Sequence, residues 1–210
     1  MEFEEVVVRR KMTRSFSSEP LDLETIENLV YLAERSPTAG NTRGVTWLLL
    51  NGPEETRVYW EHSTTEKWRE SSPIWPGLSR VPAILICLVS PAAYVQRYGE
   101  TDKASSGLGP PPGGGGEAAW PIPYWFSDAG AATMAVLLTA TNENLGACFL
   151  GNFRGERALL KDLAIPCEWR VFGAVLIGHA DGADRRSTSL KRPRTAMIRT
   201  VEVGKVIGKV

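Results

Sequence analysis

Residues 127–144 constrain this chain more than any other stretch. They are long enough for a helix, largely apolar around the whole circumference, and rich in small side chains: Ala129, Gly130, Ala131, Ala132, Ala135 and Ala140. A helix with no polar face must be covered on every side, and small residues let neighbouring backbones approach closely. Gly146 supplies a natural stop. The covering layers are legible elsewhere. Helices are predicted over residues 2–12, 22–35, 54–69 and 156–163, the second with Asp22 as N-cap. Strands are predicted over 45–50, 82–89 and 171–178, with a short extended piece at 147–150. Interspersed strands and helices around one buried helix predict a three-layer α+β fold, with a central mixed sheet flanked by helices, and not a doubly wound sheet.

Length and composition bound the rest. The 210 residues suit one domain over 1–210. Apolar residues at 43% and charged residues at 23% are globular values. Lys plus Arg and Asp plus Glu both number 24, so the net charge is zero and no nucleic-acid partner is expected. No stretch approaches the roughly 18–20 apolar residues of a membrane span, and no membrane partner is expected. The acidic start Met1-Glu2-Phe3-Glu4-Glu5 lacks the apolar run of a signal peptide. Cys87, Cys148 and Cys167 are far apart in apolar surroundings, which predicts three reduced core thiols and a cytoplasmic location.

Four segments offer chemistry, and one of them follows a long Gly/Pro-rich loop. Arg10-Lys11-Met12-Thr13-Arg14-Ser15-Phe16 places three cations where a phosphate could be clamped, although a helix end complementing its dipole has the same composition. Pro37-Thr38-Ala39-Gly40-Asn41-Thr42-Arg43-Gly44 presents the groups that hydrogen-bond the polar edge of a heterocycle, or forms an ordinary turn. Residues 104–123 are rich in Gly and Pro, which predicts a mobile, structureless loop; connections of that length are usually lids or disordered. Trp120-Pro121-Ile122-Pro123-Tyr124-Trp125-Phe126 follows it and could wall a flat ligand, or pin the loop down. Lys191-Arg192-Pro193-Arg194 is a basic run near the end.

Other chemistries lack their signatures. The glycines at 113–116 precede no Lys-Ser or Lys-Thr, so they form no P-loop. No Gly-x-Gly-x-x-Gly unit marks a dinucleotide fold. His62 and His179 are isolated from one another and from any nucleophile motif, and no Cys/His spacing suggests zinc.

In their order along the chain, these segments resemble the nitroreductase family. The family opens with Arg-Arg-Ser-x-Arg-x-Phe, matched by Arg10 to Phe16. A helix then ends in Ala-Pro-Ser-x-x-Asn-x-Gln, matched by Ser36-Pro37-Thr38-Ala39-Gly40-Asn41-Thr42-Arg43. A long apolar helix ends in Gly-Leu-Gly, matched by Asn144-Leu145-Gly146, and a glycine-containing segment follows in Phe149-Leu150-Gly151. A strand closing in Gly178 and a basic Arg192-Pro193-Arg194 complete the series. The similarity runs over roughly residues 5–200. The stretches Asp102-Lys103, Trp120 to Trp125 and Asp128-Ala129-Gly130 look closest to an actinobacterial-type branch.

The resemblance implies FMN held at a homodimer interface, with the long helix buried there. Arg10, Lys11, Met12 and Arg14 would lie at the phosphate and ribityl end, and Arg192 and Arg194 would complete it. Pro37, Thr38, Ala39 and Asn41 would come from the partner subunit. Phe149, Leu150 and Gly151 would run along the isoalloxazine. Arg43, Trp120, Tyr124 and Trp125 would face the substrate. The implied activity is hydride transfer from a reduced nicotinamide, NAD(P)H, or a reduced deazaflavin, through FMN to an electron-poor acceptor such as a nitroaromatic or quinone. A flavin-sequestering protein with little turnover is the alternative. The chain departs from the pattern at Met12, where the family has serine, and at Arg43, where it has glutamine.

Overall fold

The computed structural model describes residues 1–183 and two further paired strands, Val201–Glu202 and Lys205–Val206. Along the chain come α1 (Phe3–Arg9), α2 (Leu23–Ala33), β1 (Val45–Asn51), α3 (Pro53–Ser63), α4 (Glu66–Ser71), α5 (Trp75–Leu78), β2 (Ala83–Val89), α6 (Pro91–Tyr98), α7 (Tyr124–Asn142), β3 (Gly146–Gly151), α8 (Glu156–Asp162) and β4 (Arg170–Gly178). The strands form one four-stranded sheet in the order β1-β2-β4-β3.

Alternation along the strands builds the three layers. In β2, Ile84, Ile86 and Leu88 point to one face, where they pack with Tyr59 and Trp60 of α3, Leu78 of α5 and Leu159 of α8. Ala83 and Leu85 point to the other, against Ile26 and Leu29 of α2 and Ala132, Val136 and Ala140 of α7. Every residue of β2 is buried, as a strand covered on both faces requires. The α+β class therefore holds. A mixed sheet was expected, but all three strand pairings are antiparallel among the described residues. The parallel element is one isolated bridge between Met12 and Ala147.

Three local differences separate the fold from the expectation, and the first two have evident physical causes. The helix expected over 54–69 divides at Thr64-Thr65. The Thr64 hydroxyl donates back to the Trp60 carbonyl, and Thr65 caps α4 by accepting the Trp68 N–H at 3.1 Å. Hydroxyl side chains that bond the backbone in this way compete with the helix ladder. Helix α6 was not expected; Ser90 caps it by accepting from Ala93 N, and Pro91 occupies its first turn. Cys167 is exposed, in contrast to buried Cys87 and Cys148, so only two of the three thiols are core residues.

The Gly/Pro-rich segment is less structureless than its composition suggests. It contains two short 3-10 turns, Ala104–Ser106 and Gly116–Ala119. Its own backbone ties it together: Gly115 N donates to Gly107 O at 3.0 Å, and Gly116 N to Gly109 O at 2.9 Å.

Candidate functional site

One group of candidate residues converges at an edge of the sheet. β3 lies outermost, beside β4. The segment after α1 runs along its open side: Thr13 N donates to Ala147 O at 2.9 Å, and Phe149 N donates to the Met12 sulfur at 3.4 Å. In an antiparallel strand the residues whose backbone groups face outward alternate with those bonded to the neighbour. Ala147 and Phe149 therefore face outward, and the same alternation turns the Gly151 N–H to the free edge. The cation-bearing segment is well anchored. Phe16 is fully buried, its N–H donates to Gly77 O, and Ser15 donates to Asp181, which also pairs with Arg80. The Ala183 N–H, the Ser15 hydroxyl and Arg80 together hold the Asp181 carboxyl below its usual range. Met12 is thereby brought against Phe149, with half-buried Arg10 and Arg14 two residues to either side of it in the chain and Lys11 exposed. Arg192 and Arg194 lie outside the described residues.

A second group sits elsewhere. Pro37 to Arg43 connects α2 to β1, with Gly40 and Asn41 both in the left-handed region at φ 66° and 55°. Two helices hold this loop. The Ala39 N–H donates to Asp128 of α7 at 2.8 Å, and the Gly40 carbonyl accepts from Arg97 Nε of α6 at 2.8 Å. Asp128 also accepts the Tyr94 hydroxyl at 2.8 Å. Burial, and the hydrogen bond to the Asp128 side chain and its negative charge, push the Tyr94 phenol far above its ordinary value. Arg97 reaches Asp102 with two further bonds, and these hold the Asp102 carboxyl down at about 2.

Sequence reasoning missed Asp128 as a site residue. Its signal was available: it is the one charged residue in the 19-residue helix α7. Tyr94 and Arg97 were missed because α6 itself was not foreseen.

The aromatic cluster is mostly interior. Trp120 is 7% exposed and Trp125 4%, both packed around Tyr94, whereas Tyr124 is 40% exposed. Trp120 stacks edge-on to Tyr98 at 4.6 Å and donates its indole N–H to Leu108 O at 3.1 Å. It thus ties the Gly/Pro-rich segment to α6.

Two clefts border the two groups. One, of about 300 Å³, is lined by Thr38, Asn41, Arg43, Arg35, Trp47 and Asp128 among others. The other, of about 420 Å³, opens beside the end of β3 and is lined by Leu150, Gly151, Tyr59, Trp60, Trp68 and Phe153 among others. Trp60 is 4% exposed, yet its indole N–H has no partner among the described residues. Neither cleft contains residues from both groups. No helix among the described residues is long and apolar enough to cross a membrane.

Comparison with known proteins agrees with this architecture. A nitroreductase family protein of Clostridium novyi NT superposes with a TM-score of 0.66 at 18% identity, covering 87% of each chain. A nitroreductase in complex with FMN from Exiguobacterium sibiricum superposes with a TM-score of 0.68 at 16% identity, covering 91% of this chain and 94% of that one. At such identities these likenesses establish the fold. In sequence, the chain is 32% identical over 78 residues to an iodotyrosine deiodinase of Nematostella vectensis; the match spans 32% of this chain and 30% of that protein. The model of the nitroreductase family matches residues 7–74 and 117–179, more than half of the chain, and the chain belongs to the nitroreductase family.

Proposed function

We propose that the protein is an FMN-dependent oxidoreductase that works as a homodimer, taking hydride from NAD(P)H or a reduced deazaflavin and passing it to an electron-poor acceptor such as a nitroaromatic or quinone. The observation that carries this reading is the convergence at the edge of β3. Half-buried Arg10 and Arg14 flank Met12, which lies against a strand edge whose outward Gly151 N–H can meet a flat heterocycle. The residues present fit a flavin: cations for a phosphate, outward amides, and an aromatic cleft with one unpartnered indole donor. Such a ring gains from stacking on aromatic walls. FMN, when bound, supplies the hydride chemistry itself.

This chain's own part is then to bind, orient and exclude water. Arg10, Lys11 and Arg14 would hold the phosphate, with Arg192 and Arg194 completing the site. The Gly151 N–H would face the ring edge, while the Met12 sulfur occupies the neighbouring Phe149 N–H. No side chain need act as acid or base. The second group, Pro37 to Arg43 with the exposed Tyr124, would complete the site of a second copy, because the two groups do not share a cleft within one chain. Exposed Phe3 and Val8 of α1 and Met134 of α7 offer the apolar surface that a second copy would cover. We place the protein in the cytoplasm on its reduced thiols.

The test is FMN titration followed by anaerobic mixing with NADH, NADPH and reduced deazaflavin, read as bleaching of the flavin's visible absorbance. Bleaching by one donor and recovery on adding a quinone are the expected results. Binding without reduction by any donor would point to flavin storage; absence of binding would end the reading.

A further inference from the structure

We infer that Asp128 is a positioning residue, which sets the conformation of the Thr38–Asn41 loop by holding the Ala39 N–H, and through that loop sets flavin affinity. The inference rests on the reading above, in which this loop faces the flavin of the second copy.

The geometry is specific. Asp128 is 7% exposed and stands near the start of a helix that is otherwise uncharged. A carboxylate in that position is costly unless its oxygens are occupied. Its Oδ2 takes two donors at 2.8 Å each, the Ala39 N–H and the Tyr94 hydroxyl. The Tyr94 bond joins two packed helices, and a structural role alone would need no more. The Ala39 bond does something different, since it reaches out of the core to a loop whose backbone is unusual. Thr38 is extended at φ −131°, whereas Gly40 and Asn41 are left-handed. Asn41 adopts that conformation more readily than most non-glycine residues, and the bonds to its neighbours in the loop select it here. Here the Asp128 bond fixes the loop at Ala39, and the Arg97 bond fixes it at Gly40. Asn41 and Thr38 are thereby presented along the cleft that Asp128 itself lines.

Three variants of the full-length protein test this. Asp128→Ala removes the acceptor. Asp128→Asn keeps an oxygen in the same place. Val136→Ala opens the same helix at a fully buried position away from the loop. Each is measured for FMN affinity, for hydrogen exchange of the Ala39 amide, and for thermal stability. Asp128→Ala should weaken FMN binding about tenfold or more, in line with an unsatisfied buried group, and should speed Ala39 exchange. Asp128→Asn should restore most of both. Val136→Ala should lower the melting temperature while leaving both at wild-type values. Should Asp128→Ala not fold, Asp128→Leu, apolar and larger, carries the same comparison. Wild-type FMN affinity and Ala39 protection in a folded Asp128→Ala or Asp128→Leu protein would overturn the inference, as would equal losses in Val136→Ala. Failure of the wild-type protein to bind FMN would instead overturn the functional reading, and Ala39 exchange would still report on the bond.

Discussion

The Phe149 N–H donates to the sulfur of Met12 at 3.4 Å, across the open edge of the sheet. A thioether is a weak acceptor, so the bond holds the amide loosely while the side chain fills the space between two core clusters. Met12→Leu keeps the volume and removes the acceptor. The expected cost in stability is below about 1.5 kcal/mol, typical of such swaps. The Phe149 amide should exchange faster with solvent while the Thr13 amide, bonded to Ala147, stays protected. Native-state hydrogen exchange checks both; unchanged Phe149 protection would contradict the bond.

Arg9 and Arg14 differ in surroundings despite their closeness in sequence. Arg9 is exposed and pairs with Glu5 one turn away, an interaction worth at most about 1 kcal/mol. Arg14 is half-buried, two residues beyond Met12 at the β3 edge. Arg14→Ala should weaken FMN binding by about 1.5–3 kcal/mol, the value of a charge-assisted contact. Arg9→Ala should leave it within about twofold. Titration of both variants decides the matter, and equal losses would mean that the basic cluster acts as a diffuse field.

The exposed apolar side chains of α1 predict how assembly responds to charge. Phe3 is 74% exposed and Val8 78%. On the proposed homodimer, with α1 at its interface, Val8→Asp should shift the protein toward monomer in light scattering, without lowering the melting temperature of the monomer, because that side chain touches little within its own chain. An unchanged dimer would place the interface elsewhere.

The sequence announced the layers better than the site. The continuous apolar run of β2 and the all-round apolar character of α7 are local signals, and both survive folding. The strand edge beside Met12 is a product of chain order in the sheet, which no local pattern encodes. The same holds for the loop's two anchors. Asp128 is 89 residues from Ala39, and Arg97 is 57 from Gly40. Helix α6 escaped notice because Pro91, Ala92 and Ala93 after a strand resemble the start of a turn, although the Ser90 cap and Pro91 in the first turn mark a helix start. Trp120 and Trp125 show how far a local pattern reaches. Four aromatics in seven residues leave a ligand wall and a pin for the loop equally open, and only the fold shows these two indoles packed against one another and Tyr94 in the interior.

Buried ionisable groups predict alkaline behaviour. Burial raises the Tyr59 phenol from 10.0 to about 12 and the Cys87 thiol from 9.0 to about 12. Both are neutral in the fold and ionise earlier once unfolded. Their contribution is therefore complete below the unfolded values and is lost as pH rises through about 9 to 12. Melting temperatures should fall across that range, less steeply in Tyr59→Phe. In the native protein near neutral pH, a thiol reagent should modify exposed Cys167 alone, and all three cysteines after denaturation.

The Gly/Pro-rich segment can be dissected one hydrogen at a time. A side chain at Gly114 would place its Cβ 2.3 Å from the Gly109 carbonyl oxygen, whereas at Gly113 nothing lies within 4 Å. The two adjacent glycines thus make opposite predictions. Gly114→Ala must push two backbones apart and should disrupt the packing that Trp120 anchors, whereas Gly113→Ala should be silent. Overpacking of this kind costs about 1–3 kcal/mol. Trp120→Phe provides the calibration, because it removes the bond to Leu108 O, worth about 1 kcal/mol, and keeps a ring against Tyr98. If the segment covers the acceptor, Gly114→Ala should also change the ratio of turnover rates for a large and a small quinone, with FMN affinity preserved. Melting curves and steady-state rates for the three variants separate these effects. A stability loss with an unchanged ratio would make the segment a structural strap, and equal behaviour of Gly113→Ala and Gly114→Ala would remove the close contact on which both depend.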